Sequence, residues 1–279
     1  MNFKMVVTDL DGTLLSNDKI ISEKDIITLN RLHDNGVKIV IATGRNYFMA
    51  KKLIEQIKNI NPVILANNGA VIRQSETDEL IEYNYLDSNV FEEIYNRGLK
   101  YNLNPVLHVD EYKNGYDIIY EHSNFEEVYL GYVKKDDVRA KQLKYTPKNI
   151  KNILSVCYLE EYDKLYDFFS EMNLLNYGQF NSICNRNISD RALLEFLHVD
   201  GCKWRALKKY IEMIDVKPEE IVAFGDDNND IELIANSGLG ISMKNGTESV
   251  IISGKRISQY DNNNSGVSHE LINIFNISD

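Results

Sequence analysis

Two acidic clusters, far apart in the chain, carry the strongest chemical signal in the sequence. The first is Asp9 and Asp11 in "MVVTDLDGTLL", where an apolar run ends in two carboxylates one residue apart. Ionised and close together they would repel, and a cation between them would relieve that cost. Taken alone, Asp-Gly between apolar runs also reads as an ordinary hairpin turn. The second cluster is "VAFGDDNNDIELI", Val222 to Ile234, in which five acidic or amide residues follow an apolar run. A helix cap needs only one such residue. An EF-hand loop would need glycine at its sixth position, but counting from Asp226 that position is Ile231, and a strand rather than a helix precedes it. The excess points to a hard cation held by carboxylates such as Asp226, with Asp230 positioned by the helix that follows.

Two further segments could receive an anion. In "IATGR", Ile41 to Arg45, an apolar run ends in a hydroxyl, a glycine and a cation. Thr43 and the backbone around Gly44 could hold a phosphate, or could simply cap a helix. Lys203 stands where a helix begins after "LLEFLHVDGC". A lysine in a first turn opposes the helix dipole, so a nearby anion would explain it, although a surface lysine fits as well.

These residues need elements to bring them together. Short β-branched runs alternate with helix-period segments: "KMVVTDL", a helix over Glu23 to Asn35, "VKIVIAT", a helix from about Asn46, and "PVILAN". The pattern returns in "ALLEFLHV", a helix over Lys203 to Ile214, "EEIVAFGD", a helix from about Asn229, and "LGISMK". Continuous apolar strands bracketed by helices predict a doubly wound α/β fold with a parallel sheet covered on both faces. Ligands of such sheets bind beyond the carboxyl ends of the strands, where all four segments fall. Between about Tyr83 and Asp190 the character changes. Fourteen of the 17 tyrosines lie there, polar and apolar residues alternate, and "PVLHVDEYKNGYDIIYE" predicts a hairpin turning at Asn114-Gly115. This segment reads as an inserted α+β domain, residues 83–190, within a core made of 1–82 and 191–279.

Composition limits the partners. The 279 residues hold 26% charged and 43% hydrophobic residues, as a globular chain does. A formal charge of −11 argues against a nucleic-acid or anionic-membrane surface, so an anionic ligand must meet local positive charge. Cys157, Cys184 and Cys202 are odd in number and lack metal-ligand spacing, and read as reduced, buried thiols. With neither a signal-peptide core nor a membrane-length apolar run, the expected location is cytoplasmic. Oligomeric state is not legible.

Taken in order, "DLDGTLL", "IATGR", Lys203 and "GDDNND" resemble the four motifs of the haloacid dehalogenase superfamily, and the large insertion between the second and third resembles its Cof-type branch. "ANNGA" (Ala66 to Ala70), "NSGLGISMKNG" and "NNNSGV" resemble that branch too. The resemblance implies a Rossmann-like core, an α+β cap, and a Mg2+-dependent phosphatase of small phosphorylated metabolites such as sugar phosphates or phosphorylated cofactors. It implies Asp9 as nucleophile and Asp11 as acid and base with a raised pKa. It implies Mg2+ on Asp9, Asp226 and the Asp11 backbone carbonyl. Phosphate would meet Thr43, Gly44, Lys203 and Asn229, with Asp230 orienting Lys203 or a metal-bound water. One departure is "KWRAL", where the family usually has glycine after the lysine; this places Trp204 and Arg205 near the expected site entrance. A phosphomutase with the same aspartyl chemistry and a non-catalytic phospho-accepting module are the alternatives.

Overall fold

The computed structural model describes residues 3–121, 138–188 and 191–277. The described chain divides into two compact units, Met1–Tyr83 with Cys202–Asp279, and Asn84–Gly201. The predicted boundary at 190/191 therefore moves to Gly201/Cys202. Asp190, Tyr129 and Tyr132, used in the sequence reading of the insertion, lie outside the described residues.

The first unit is built on an eight-stranded sheet in the order β14-β13-β12-β1-β2-β3-β4-β5. Its strands are β1 (Met5–Thr8), β2 (Lys38–Ala42), β3 (Val63–Ala66), β4 (Val71–Gln74), β5 (Leu80–Tyr83), β12 (Ile221–Gly225), β13 (Leu239–Ser242) and β14 (Arg256–Ile257). The pairs from β14 across to β3 are parallel, while β4 and β5 add antiparallel strands at one edge that the sequence pattern did not predict. Helices α1 (Glu23–Asp34), α2 (Tyr47–Ile54), α5 (Lys203–Met213), α6 (Ile231–Asn236), α7 (Glu248–Ser253) and α8 (Gly266–Phe275) belong to the same unit. Local chemistry sets their ends. The Ser22 hydroxyl accepts from the Asp25 N–H at the start of α1, and Gly36, at φ +82°, follows its end. Asn46 caps α2 by accepting from the Met49 N–H. On α5 the buried Ala206, Leu207 and Ile211 join a core cluster with Val7, Val40, Leu65 and Ala223. Burial of a Leu or Ile side chain contributes about 1.5–3 kcal/mol.

The second unit carries a six-stranded sheet in the order β10-β11-β9-β6-β7-β8. Here β6 is Val106–Glu111, β7 Tyr116–Tyr120, β8 Ala140–Gln142, β9 Ile153–Glu160, β10 Phe180–Ile188 and β11 Arg191–His198, with helices α3 (Ser88–Lys100) and α4 (Tyr162–Leu174). Two expectations change. "ALLEFLHV" is β11, antiparallel between β9 and β10, and no part of the parallel sheet. Both β9 and β11 are buried almost throughout, and such a strand shows the same unbroken apolar run in either kind of sheet. The β6–β7 connection is antiparallel, but it passes through a 3-10 turn at Tyr112–Asn114 before Gly115 at φ +85°, a longer loop than a two-residue Asn-Gly turn. Of the thiols, Cys157 and Cys202 are buried and Cys184 is half-buried.

Tyr158, Phe168, Phe180 and Phe196 stack edge to face in the core of the second unit. Glu195 lies between Leu194 and Phe196 on β11 and is also buried, with the Cys157 thiol donating to its carboxylate at 3.6 Å. Burial pushes this carboxyl up to about 7, with the thiol contact working the other way. As pH rises, the unfolded chain loses this proton near its ordinary 4.5 and the folded chain only near 7, so the group lowers stability progressively across that window. Glu195→Gln should therefore gain about 3 kcal/mol relative to the parent at pH 8 beyond its difference at pH 4. Urea denaturation at the two pH values checks this, and equal differences would contradict it.

Candidate active site

The parallel register gathers the chemical groups at one sheet edge. Thr8 at the end of β1 lies level with Phe224 of β12 and Ile41 of β2. One residue further, Asp9 donates its N–H to the Phe224 carbonyl at 3.2 Å, and the chain continues to Asp226 on one side and Thr43 on the other. Lys203, the first residue of α5, sends a fully buried ammonium to Asp9 Oδ1 at 2.8 Å and Asp230 Oδ1 at 2.7 Å. The other oxygen of Asp230 accepts from the backbone N–H groups of Asp226 (3.1 Å) and Asp227 (3.3 Å). Asp230 thus fixes both the lysine and the loop that presents Asp226. Asp226 Oδ1 also accepts the Thr13 hydroxyl at 2.8 Å.

Carboxylate oxygens of Asp9, Asp226 and Asp230 come within 4.8 Å of one another. Three acids face one ammonium, and the imbalance is visible in their proton affinities. Burial raises the Asp9 carboxyl well above the usual range; Lys203 offsets part of this, and Asp230 and Asp226 add to it. Burial and then Asp230 push Asp226 up to about 7, against the Thr13 hydrogen bond. Burial works against the Lys203 ammonium, but Asp230 and Asp9 outweigh it and raise its pKa. Hard oxygen donors with excess negative charge suit a hard cation. Asp230 is committed to Lys203 and to backbone donors, which leaves Asp9 and Asp226 as the acids to hold it.

A second group forms beside the first. Asn229 Nδ2 donates to Asn68 Oδ1 at 2.9 Å, and the Asn68 N–H donates to the Thr43 carbonyl at 2.9 Å. The Thr43 hydroxyl accepts the Arg45 N–H at 3.1 Å. A Cβ on Gly44 would lie 3.3 Å from Asn68 Oδ1, so the absence of a side chain leaves this edge open.

Asp11 stands apart. Its carboxylate is not part of the acidic cluster and takes both prongs of Arg45, Nε at 2.5 Å and Nη2 at 2.6 Å, together with Lys19 Nζ at 2.7 Å. Burial acts to raise its pKa, but the hydrogen bonds and charges of Arg45 and Lys19 prevail and lower it. This corrects the expectation of a raised pKa, because the sequence motif shows the neighbouring carboxylate and not the two cations the fold delivers. Trp204 packs against the core cluster of the first unit, and Arg205 pairs with Glu232 at 3.1 Å.

The sequence profile of the haloacid dehalogenase-like hydrolases matches residues 6–271. The chain belongs to this family. It is 24% identical over 271 residues to the putative phosphatase YxeH of Bacillus subtilis, covering 96% of this chain and 97% of that one. It is 26% identical to the 5-amino-6-(5-phospho-D-ribitylamino)uracil phosphatase YitU of the same organism, covering 88% of each. The crystal structure of a haloacid dehalogenase-like hydrolase from Bacteroides thetaiotaomicron superposes with a TM-score of 0.81 at 26% identity, over 98% of this chain and 100% of that one. The family expected from the four motifs is thus shown, and so is a hydrolase of the phosphatase kind.

Several residues of this haloacid dehalogenase-like hydrolase escaped the sequence reading of roles: Thr13, Lys19 and Asn68. Thr13 follows Asp-Gly in the first motif and Asn68 sits in "ANNGA", so position within a motif was their only signal; Lys19 had none. Gly12 matters for a steric reason. It has φ +73°, and a Cβ there would fall 2.1 Å from Asp226 Oδ2. Gly12→Ala should displace Asp226 and lower kcat/KM by about 10²-fold in a metal-supplemented phosphatase assay, as ångström-scale misplacement of a site group does. Activity within a factor of two of the parent would contradict it.

Proposed function

We propose that this protein is a Mg2+-dependent phosphatase of small phosphorylated metabolites that works through an aspartyl-phosphate on Asp9. The observation that carries the reading is the buried Lys203 ammonium shared by Asp9 and Asp230, with Asp226 alongside. The group supplies a carboxylate nucleophile in Asp9, a cation for a phosphoryl oxygen in Lys203, and in Asp226 a second acid to join Asp9 in holding a metal. Asp9, Asp226 and the Asp11 backbone carbonyl would hold Mg2+, which when bound offsets the negative charge on nucleophile and phosphate.

In the first step an Asp9 oxygen attacks phosphorus and the bond from phosphorus to the ester oxygen breaks; Asp11, which must be protonated at this point against the pull of Arg45 and Lys19, gives its proton to the departing alcohol. In the second step a water attacks the same phosphorus and passes its proton to Asp11; the bond to Asp9 breaks and inorganic phosphate leaves. Arg45 and Lys19 favour the carboxylate form of Asp11, the form needed for this second step. Lys203, Thr43 and the Gly44 N–H hold non-transferred oxygens, preorganised donors of the kind that lose about 10²–10³-fold in kcat when one is removed. Asn229, tied to Asn68, faces the same phosphate or the group it is attached to. The inserted unit is assigned the selection of substrate. YitU, whose named substrate is a phosphorylated ribityl compound, supports a small-metabolite range.

Asp9→Asn should release no phosphate above background from any ester, because the amide is a poor nucleophile. Thr43→Ala should retain about 10⁻²–10⁻³ of the parent kcat. EDTA should abolish turnover and Mg2+ restore it. A malachite-green assay over a panel of phosphometabolites reads all three, and substantial turnover by Asp9→Asn would remove the covalent pathway.

A further inference from the structure

The turn that carries Lys19 is fixed by two distant parts of the first unit, one at Gln56 and one at Asn262 and Asn263. Gln56 accepts the Ile21 N–H at 3.0 Å and donates to the Lys19 carbonyl at 3.4 Å. Asn262 donates to the Leu15 carbonyl at 2.9 Å and to Asn17 Oδ1 at 3.2 Å. Asn263 accepts the Asn17 N–H at 2.9 Å. Within the turn the Lys19 N–H donates to the Ser16 carbonyl at 2.9 Å, and Lys19 itself has φ +62°, a left-handed conformation unfavourable for a residue with a side chain. The result of this construction is an ammonium held 2.7 Å from Asp11 Oδ1.

Orienting Asp11 does not require that ammonium. Arg45 already engages both carboxylate oxygens with its fork, the strongest geometry available to such a pair. Lys19 spends one of its three N–H donors on Asp11, and its side chain is 50% exposed against 21% for Arg45. Two cations face one carboxylate, leaving a net positive charge at this point of a chain whose formal charge is −11. Asp11 is the residue that meets the departing ester oxygen in the function proposed above, on which this inference rests. A substituent a few bonds from that oxygen reaches the Lys19 ammonium. A neutral substituent leaves the charge unmatched, whereas an anionic oxygen receives a charge-assisted hydrogen bond.

We propose that Lys19 is a specificity-determining residue, and that the preferred substrates are phosphate monoesters whose alcohol portion carries a second anionic group, a carboxylate or another phosphate. The test compares matched esters: glycerol 2-phosphate with 2-phosphoglycerate, and phenyl phosphate with 3-carboxyphenyl phosphate. The parent should show the higher kcat/KM for the carboxylate member of at least one pair. Lys19→Gln should reduce that preference by about threefold to tenfold, the range for a partly exposed charge-assisted contact, and Lys19→Arg should keep most of it. Glycerol 1,3-bisphosphate against glycerol 3-phosphate tests a phosphate as the second group, with the same expected change in the ratio. An equal loss by Lys19→Gln against both members of every pair would make Lys19 only a positioning residue for Asp11 and overturn the proposal. So would a parent that prefers the neutral esters throughout. Phosphate release by the parent from the neutral esters tests the phosphatase reading separately, since a failure of specificity leaves that release intact.

Discussion

A lysine ammonium buried between two aspartates is the constraint on which the site depends. Removing an ammonium and two carboxylates from water costs several kcal/mol per ion, and only close mutual contacts return that cost. Lys203 is also in the first turn of its helix, where the dipole disfavours a cation. Its position is tenable because Asp9 and Asp230 both reach it within 2.8 Å. Removal of one member of a buried pair leaves an uncompensated charge, at a cost of about 3–5 kcal/mol. Asp230 extends the constraint to the backbone, because its second oxygen gathers two consecutive N–H groups and so shapes the loop carrying Asp226. Gly225 makes room for it, since a Cβ there would come within 2.4 Å of Asp230 Cβ.

The sheet converts this local constraint into a site. Parallel pairing of β1 with β12 and with β2 aligns three carboxyl ends, so residues from distant stretches of sequence emerge side by side. The turn after β3 completes the arrangement. Gly69, at φ +88°, would place a Cβ 2.5 Å from Ala206 Cβ and 2.9 Å from the Cys202 carbonyl, so only glycine lets this turn pack against the start of the lysine-bearing helix. The same turn contributes Asn68, which joins the Thr43 backbone to Asn229.

How much of this was legible in the sequence follows from what kind of information each feature uses. Continuous apolar runs and cap residues gave β1, β2, β12 and the helices beside them, because those signals are local. Asp9, Asp226 and Asp230 were singled out because clustered acidic residues after apolar strands are unusual enough to need a ligand or a counter-charge, and Lys203 because a lysine in a first helical turn opposes the dipole. β11 was misplaced, since an apolar run does not say whether its neighbours run parallel or antiparallel; Glu195 in its middle was the one residue at odds with a parallel core strand. The surroundings of Asp11 were misjudged for the related reason that Lys19 and Arg45 reach it through tertiary structure. Thr13 and Asn68 act through single hydrogen bonds whose partners are set by the fold, and nothing in their sequence positions names those partners.

The two sides of the site differ in charge, and that difference bears on how an anion enters a strongly acidic protein. Asp9, Asp226 and Asp230 set three carboxyl groups against the one ammonium of Lys203, while Arg45 and Lys19 set two cations against the one carboxylate of Asp11. At physiological ionic strength fields decay over about 8 Å, so the overall charge of −11 weakens beyond the first few ångströms and the local arrangement decides. In the function proposed above, a cation that balances the acidic side would be the condition for a phosphate to approach Asp9. The basic side attracts anions without such a condition. In that proposed function Asp11 handles the leaving group's proton, and the basic side lies beside it, so charge recognition and proton transfer would be coupled through one carboxylate rather than divided between separate parts of the molecule.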